Sequence, residues 1–273
     1  MVPSLPQKNS LLNSNLLKRT LSTAIGAPLA VAAVTLGSPY IDITAFLLLG
    51  ILLWEWSKMS GLPLSHPVNG IVVLIMGWLI FGTHTFLPAF AMVSVGFAYI
   101  LYYHYQAGAK LFPTFILLSG PLYIGLGMTS ILNLAKYNPL ILLWALAIVW
   151  STDVGAYVVG SLLGGPKLVP KISPGKTWSG FVGGSVIGAF LGQAIAPTCH
   201  ILISDQVLLL CLSLVTTFVA HTGDILESAV KRLFKVKDSS QIIPGHGGLL
   251  DRLDSLLLVS IFFVILLYFR ILP

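Results

Sequence analysis

Nine apolar stretches follow one another along this chain, near residues 20–38, 41–57, 67–83, 86–103, 112–131, 139–162, 179–196, 206–226 and 254–271. A helix that crosses the hydrocarbon core of a bilayer needs about 20 mostly apolar residues. Backbone polar groups inside lipid must be satisfied within the spanning segment, which favours helices. The expected fold is therefore all-α: a polytopic integral membrane protein with nine transmembrane helices. Charged residues make up only 9% of the 273, against roughly a quarter in soluble domains, so an ordinary soluble fold is excluded. The first stretch follows Lys18-Arg19 as a signal peptide would. It is long for a signal peptide's apolar core, and no A-x-A cleavage pattern follows. It reads as a retained helix preceded by a polar tail, residues 1–17, with 18–273 forming one transmembrane domain.

The basic residues orient this arrangement. With nine spans, the N-terminus shares a side with the loops after the even-numbered spans. That side carries 13 of the 15 Lys and Arg residues, and only Lys136 and Arg270 fall on the other. Lys and Arg accumulate in cytoplasmic loops, so the N-terminus is expected inside and the C-terminus outside. Loops 163–178 and 227–253 are then cytoplasmic. The net charge of +6 is concentrated on that face, where it suits anionic headgroups of membrane lipids or an anionic substrate. Nucleic acid is not an expected partner, because the basic residues sit in short loops between spans. Cys199 and Cys211 are too few for a disulfide framework or a thiolate metal site and read as small apolar fillers.

Against this background the acids stand out. There are nine, and five of them, Asp224, Glu227, Asp238, Asp251 and Asp254, fall close together with Lys231, Arg232, Lys235, Lys237 and Arg252. Asp224, Glu227, Ser228 and Lys231 stand at i, i+3, i+4 and i+7, which is one face of a helix. Asp251, Asp254 and Ser255 repeat the first three of these intervals at the start of the last apolar stretch. Between them, Pro244-Gly-His-Gly-Gly248 gives the chain freedom to bend. Two helices could thus bring carboxylates together at the cytoplasmic face. Hard cations such as Mg²⁺ want carboxylate oxygens together with substrate phosphates and water. The plainer alternative is a set of interfacial ion pairs, Asp251 with Arg252 or Glu227 with Lys231.

A second basic segment, PKLVPKISPGKTWSG at 166–180, invites comparison with the phosphate-binding G-x-x-x-x-G-K-[ST] loop. Pro170 stands where the first glycine belongs, so that motif fails. Ser173, Lys176 and Thr177 could still offer a hydroxyl, an ammonium and free backbone N–H groups to a phosphate at a helix N-terminus. Asp153 lies inside an apolar run on one helical face with Ala156, Tyr157 and Gly160, and an intramembrane carboxylate is a functional candidate by default. Glu55, between Trp54 and Trp56, reads as an interfacial belt position that includes an acid. His66, His84, His104 and His200 fall near span ends and call for no special role.

The segment SAVKRLFKVKDSSQIIPGHGGLLDRLD, Ser228 to Asp254, resembles the signature of phosphatidate cytidylyltransferases (CDP-diacylglycerol synthases). Ser228, Lys231, Arg232, Lys237, Asp238, Pro244, His246, Gly247, Gly248, Asp251, Arg252 and Asp254 fit that pattern with its spacing intact. GDILES at 223–228, DVGAYVVG and KISPGKTWSG are similar to further family segments. Ser179 stands where the family usually has Glu, and Gly175 where a basic residue is common. The resemblance covers most of the chain and is most specific in its C-terminal third.

What the resemblance implies is a transmembrane catalytic domain that uses CTP and phosphatidic acid to make CDP-diacylglycerol and pyrophosphate, with Mg²⁺ as cofactor. It further implies a homodimer in a bacterial inner membrane with a polar cavity open to the cytoplasm. Asp224 and Asp251 would hold Mg²⁺, with Asp254 supporting them or binding a second cation. Lys176, Lys231, Arg232, Lys237 and Arg252 would meet phosphates. Gly247 and Gly248 would let the backbone approach the nucleotide, and His246 would bond to phosphate or order the loop. Ser173, Thr177, Ser228 and Asp238 complete the expected substrate contacts, with Asp153 and Glu227 as further candidates.

Overall fold

The computed structural model describes residues 24–81, 98, 101, 102, 105, 106, 108, 111–201, 203–243 and 247–272. The tail 1–17, most of the expected span 86–103 and His246 lie outside the described residues. The helices are α1 (Ala24–Leu36), α2 (Tyr40–Ser60), α3 (Pro67–Phe81), α4 (Leu111–Tyr137), α5 (Pro139–Leu163), α6 (Trp178–Ile195), α7 (Gln206–Leu233) and α8 (Leu250–Tyr268). Each falls on one of the expected apolar stretches. Five of them, α2, α4, α5, α6 and α7, are long and apolar enough to cross a membrane. In α8, Asp251 and Arg252 in the first turn and Asp254 just after it precede an apolar run. The chain is a mostly helical integral membrane protein. The loop expected over 163–178 adds a small non-helical element, an antiparallel hairpin of β1 (Lys167–Val169) and β2 (Ser173–Thr177).

Local chemistry sets where several helices begin. Asn138 accepts a hydrogen bond from the Leu140 N–H, and Pro139, which has no N–H to leave unsatisfied, takes the first helical position of α5. Asp205 accepts from Val207 and Leu208 at the start of α7. The Thr177 hydroxyl accepts from the Gly180 N–H where β2 runs directly into α6.

Close packing positions the functional end of the bundle. Gly180, Gly184, Gly188 and Gly192 recur at every fourth position of α6, a stripe that the reading of the sequence did not pick out. Against it lie Ile148, Thr152, Ala156 and Gly160 of the antiparallel α5. A Cβ on Gly184 would stand 2.7 Å from the Thr152 carbonyl oxygen, so the two backbones are as near as glycine allows, the packing that small residues permit between membrane helices. Gly223 plays the same part between α7 and α8: a Cβ there would lie 2.8 Å from the Asp254 carbonyl oxygen. That contact sets Asp224, its neighbour in the chain, at the level of Asp254.

On the other flank, Pro121 inside α4 has no N–H to offer the Leu117 carbonyl. The Trp56 indole N–H of α2 donates to that freed oxygen at 3.1 Å, and Gly120 leaves room for the Trp56 ring. Trp56 also meets Phe234 edge-on, with ring centroids 5.6 Å apart. At the opposite end of α2, Asp42 pairs with Lys136 of α4 at 2.8 Å. Both ends of α2 are thus tied to α4. Helix α8 packs against α4, α5 and α7, with its Phe263 fully buried against Trp144 of α5.

Candidate active site

At the end of the bundle where α5 and α7 finish and α6 and α8 begin, the helices and the hairpin enclose a cavity of about 750 Å³. Gly164 and Gly165, both with positive φ, turn the chain from α5 into the hairpin that forms one wall. The Ser179 hydroxyl, at the position where the resembling family carries Glu, donates to the Gly164 carbonyl and secures that turn. Helix α7 continues beyond its apolar run to Leu233, so Glu227, Ser228 and Lys231, expected partly in a loop, are helical and share a face with Asp224.

Ten of the residues singled out in the sequence line this one cavity: Asp153, Ser173, Lys176, Thr177, Asp224, Lys231, Asp238, Asp251, Arg252 and Asp254. Asp224, Glu227 and Asp251 are each paired with a lysine. Lys176 Nζ, from the hairpin, lies 2.5 Å from Asp224 Oδ2. Lys231 Nζ lies 2.6 Å from Glu227 Oε2 on its own helix and donates across to Asp251 Oδ1 of α8, also at 2.6 Å. The ion pairing weighed for Glu227 and Lys231 exists, and the second partner of Lys231 is Asp251. Asp251 Oδ2 also accepts from the Gly248 N–H at 2.8 Å and the Ser239 N–H at 3.0 Å. The Ser228 hydroxyl donates weakly to Asp224 Oδ1 at 3.4 Å. Asp254 is buried, its Oδ1 accepting from the Ser255 N–H, and the Tyr123 hydroxyl donates to its backbone carbonyl.

Other expected residues stand off this wall. Arg232 donates from Nε to the Ile172 carbonyl at 3.0 Å and from Nη1 to the Val236 carbonyl at 2.8 Å. It ties the hairpin to the loop after α7 instead of facing the cavity. Lys237 is exposed. Gly247 adopts a left-handed backbone at φ +86°, and a Cβ there would meet Asp251 Oδ2 at 2.7 Å. Gly248 is pressed between Ser239 and Glu55, with no room for a side chain. Both glycines therefore shape the cradle around Asp251.

Two contributors went unrecognised in the sequence. Glu55 is fully buried near the C-terminal end of α2, where it binds the start of α8 and the loop before it. Its signal was available: an acid in an apolar run is a functional candidate, but the flanking tryptophans pointed to a surface belt. His221 is buried on the cavity wall, its ring 4.7 Å from that of Phe181, and its Nε2 has no hydrogen-bond partner among the described residues. It stands one helical turn before Asp224, on the same face, and that spacing could have found it.

The donor set is one of oxygens, which suits a hard cation. Among the described residues no three His, Cys, Asp or Glu converge closely enough to hold a metal alone. Mg²⁺ is ordinarily held by one or two carboxylates, with substrate phosphates and water completing the shell. The residues present fit that mode and not an all-protein metal cage. The lysine ammonium groups now at Asp224 and Asp251 occupy the positive side of each pair and would be free to turn to phosphates once a cation took their place.

A cavity lined by carboxylates, lysines and an arginine, at one end of an apolar helical bundle, suits the binding of phosphates. The profile of the cytidylyltransferase family matches residues 17–270, and the chain belongs to that family. It is 34% identical over 262 residues to the phosphatidate cytidylyltransferase of Bacillus subtilis, spanning 92% of this chain and 97% of that one. It is 33% identical to the enzyme of that name from Haemophilus influenzae, over 92% and 98% of the two chains. The Brucella melitensis counterpart is 32% identical over 86% and 89%.

Proposed function

We propose that this chain catalyses Mg²⁺-dependent transfer of a cytidylyl group from CTP to phosphatidic acid, giving CDP-diacylglycerol and pyrophosphate for phospholipid synthesis. The observation that carries this reading is the cavity in which Asp224 and Asp251, each in contact with a lysine, face one another's helices. Relatives named for the reaction cover nearly the whole chain. The distribution of basic residues supports a cavity on the cytoplasmic face of a bacterial inner membrane, and the family resemblance supports a homodimer.

A phosphate monoester has a second pKa of about 6 and is largely dianionic at neutral pH. The attacking lipid phosphate oxygen therefore needs no general base. That oxygen forms a bond to the α-phosphorus of CTP, the bond from the α-phosphorus to the bridging oxygen breaks, and pyrophosphate departs with the electron pair. Asp224 and Asp251 would hold Mg²⁺, with Asp254 as support or as ligand to a second cation, and the ion would supply neutralisation of phosphate charge when bound. Lys176, Lys231 and Arg252 orient phosphates and offset their charge, and Lys237 is available to an incoming nucleotide at the rim. Asp153 and Asp238 border the substrates.

The test is purified protein with phosphatidic acid, Mg²⁺ and CTP labelled at either end of the triphosphate. α-Label is expected in the lipid product. γ-Label in lipid would instead indicate a CTP-dependent lipid kinase, and label in neither would favour an organic-anion transporter.

A further inference from the structure

We propose that Glu55 is a positioning residue of this site: reaching from α2, its carboxylate sets where the first turn of α8, and with it the Asp251 carboxylate, stands. Glu55 is fully buried, and no Lys or Arg pairs with it among the described residues. A buried, unpaired carboxylate is costly unless donors surround it. Here each oxygen accepts one backbone N–H and one hydroxyl. Oε1 accepts from Leu249 N at 2.8 Å and Ser240 Oγ at 2.5 Å. Oε2 accepts from Leu250 N at 2.7 Å and Ser239 Oγ at 3.2 Å.

The first N–H groups of a helix have no partner within it, and the end carries partial positive charge. Helix α8 has no side-chain cap of its own at Leu249. Its cap comes from a residue 195 positions earlier. Because Trp56 locks α2 to α4, the cap is a fixed point. From it two connections run to Asp251: through the first turn of α8, and through Ser239, whose hydroxyl donates to Glu55 while its N–H donates to Asp251 Oδ2. Gly248, caught between Ser239 and Glu55, leaves the assembly no slack.

A glutamine at 55 has the same shape but cannot do this. Whichever way its amide faces, the NH₂ meets the N–H of Leu249 or Leu250, donor against donor. Residues that orient a metal ligand typically change activity or metal affinity by roughly 10–100-fold when altered. The proposal rests on the proposed reaction only for its turnover readout, so exchange of backbone amides is measured beside it.

Full-length Glu55→Gln is compared with the unaltered protein in lipid nanodiscs. Expected are faster amide exchange confined to residues 248–254, a turnover about 10–100-fold lower, a higher half-saturating Mg²⁺ concentration and an unchanged KM for phosphatidic acid. Unchanged exchange and turnover overturn the proposal. So does exchange that rises equally in α4 and α5 with turnover per folded molecule retained, which would mark a general structural role. If Glu55→Gln cannot be recovered folded, Ser240→Ala, which removes one donor to Oε1 outside the cavity, must raise exchange over 248–254 and the Mg²⁺ requirement in the same direction; no change in either overturns it. Should the unaltered protein fail to label lipid, the reaction is wrong, and the exchange data still decide the role of Glu55.

Discussion

Asp251 is the side chain on which the most interactions of the cavity converge. It receives Lys231 from α7, the Gly248 N–H from its own entry turn and Ser239 from the preceding loop. An asparagine fits the same space and keeps an oxygen for the Gly248 and Ser239 N–H groups, while Lys231 retains Glu227. Asp251→Asn is therefore expected to insert and fold. It should lose the negative charge proposed to hold a cation and, with several kcal/mol of charge stabilisation gone, fall on the order of 10²–10³-fold in turnover. Labelled CTP incorporation per folded molecule reads this directly, and near-normal turnover would remove Asp251 from the metal assignment. Lys231 shows the converse. It is buried between two carboxylates, where removal of a charged partner leaves the rest uncompensated, so its role is inseparable from the fold of the site.

At the scale of elements, the α5–α6 pair determines how wide the cavity is. Asp153 on α5 and Lys176 and Thr177 at the entry to α6 face the cavity together only because four glycines let the helices touch. Gly184→Leu would drive a side chain into the Thr152 carbonyl and Ala156. The expected result is a loss of about 1–3 kcal/mol in stability from overpacking, read as a lowered thermal midpoint in detergent, together with reduced cytidylyl transfer as Asp153 and Lys176 move apart. Substitution at the exposed Phe190 of the same helix should leave both nearly unchanged. Equal effects at the two positions would argue against a packing role for the glycine stripe.

For the molecule as a whole, the orientation proposed above puts the cavity at the cytoplasmic face, with the Asp42–Lys136 pair at the other end of α2 and α4. In a background with Cys199 and Cys211 replaced by Ser, Lys171→Cys places a thiol at an exposed position beside the hairpin. A membrane-impermeant maleimide is expected to label it in inside-out vesicles and to leave it untouched in intact cells. The reverse pattern would invert the orientation and put the cavity outside the cytoplasm.

Membrane class, helix positions and helical faces were legible in the chain because hydropathy and i, i+3, i+4 spacing are local: every residue needed to read them lies within a turn or a span. The run of charges from Asp224 to Asp254 was legible for the same reason, as was its family resemblance. Which of those charges share a cavity depended on tertiary structure. Arg232 and Lys231 are adjacent in sequence, yet one is spent on the carbonyls of Ile172 and Val236 while the other joins two carboxylates. Glu55 looked like a belt residue until α2, locked to α4 by Trp56 at a proline-freed carbonyl, brought it to the start of α8. Local pattern determined what each segment is, because its forces act between neighbours. The close approach of distant backbones, made possible at Gly184, Gly223 and Gly248, decided which side chains act together.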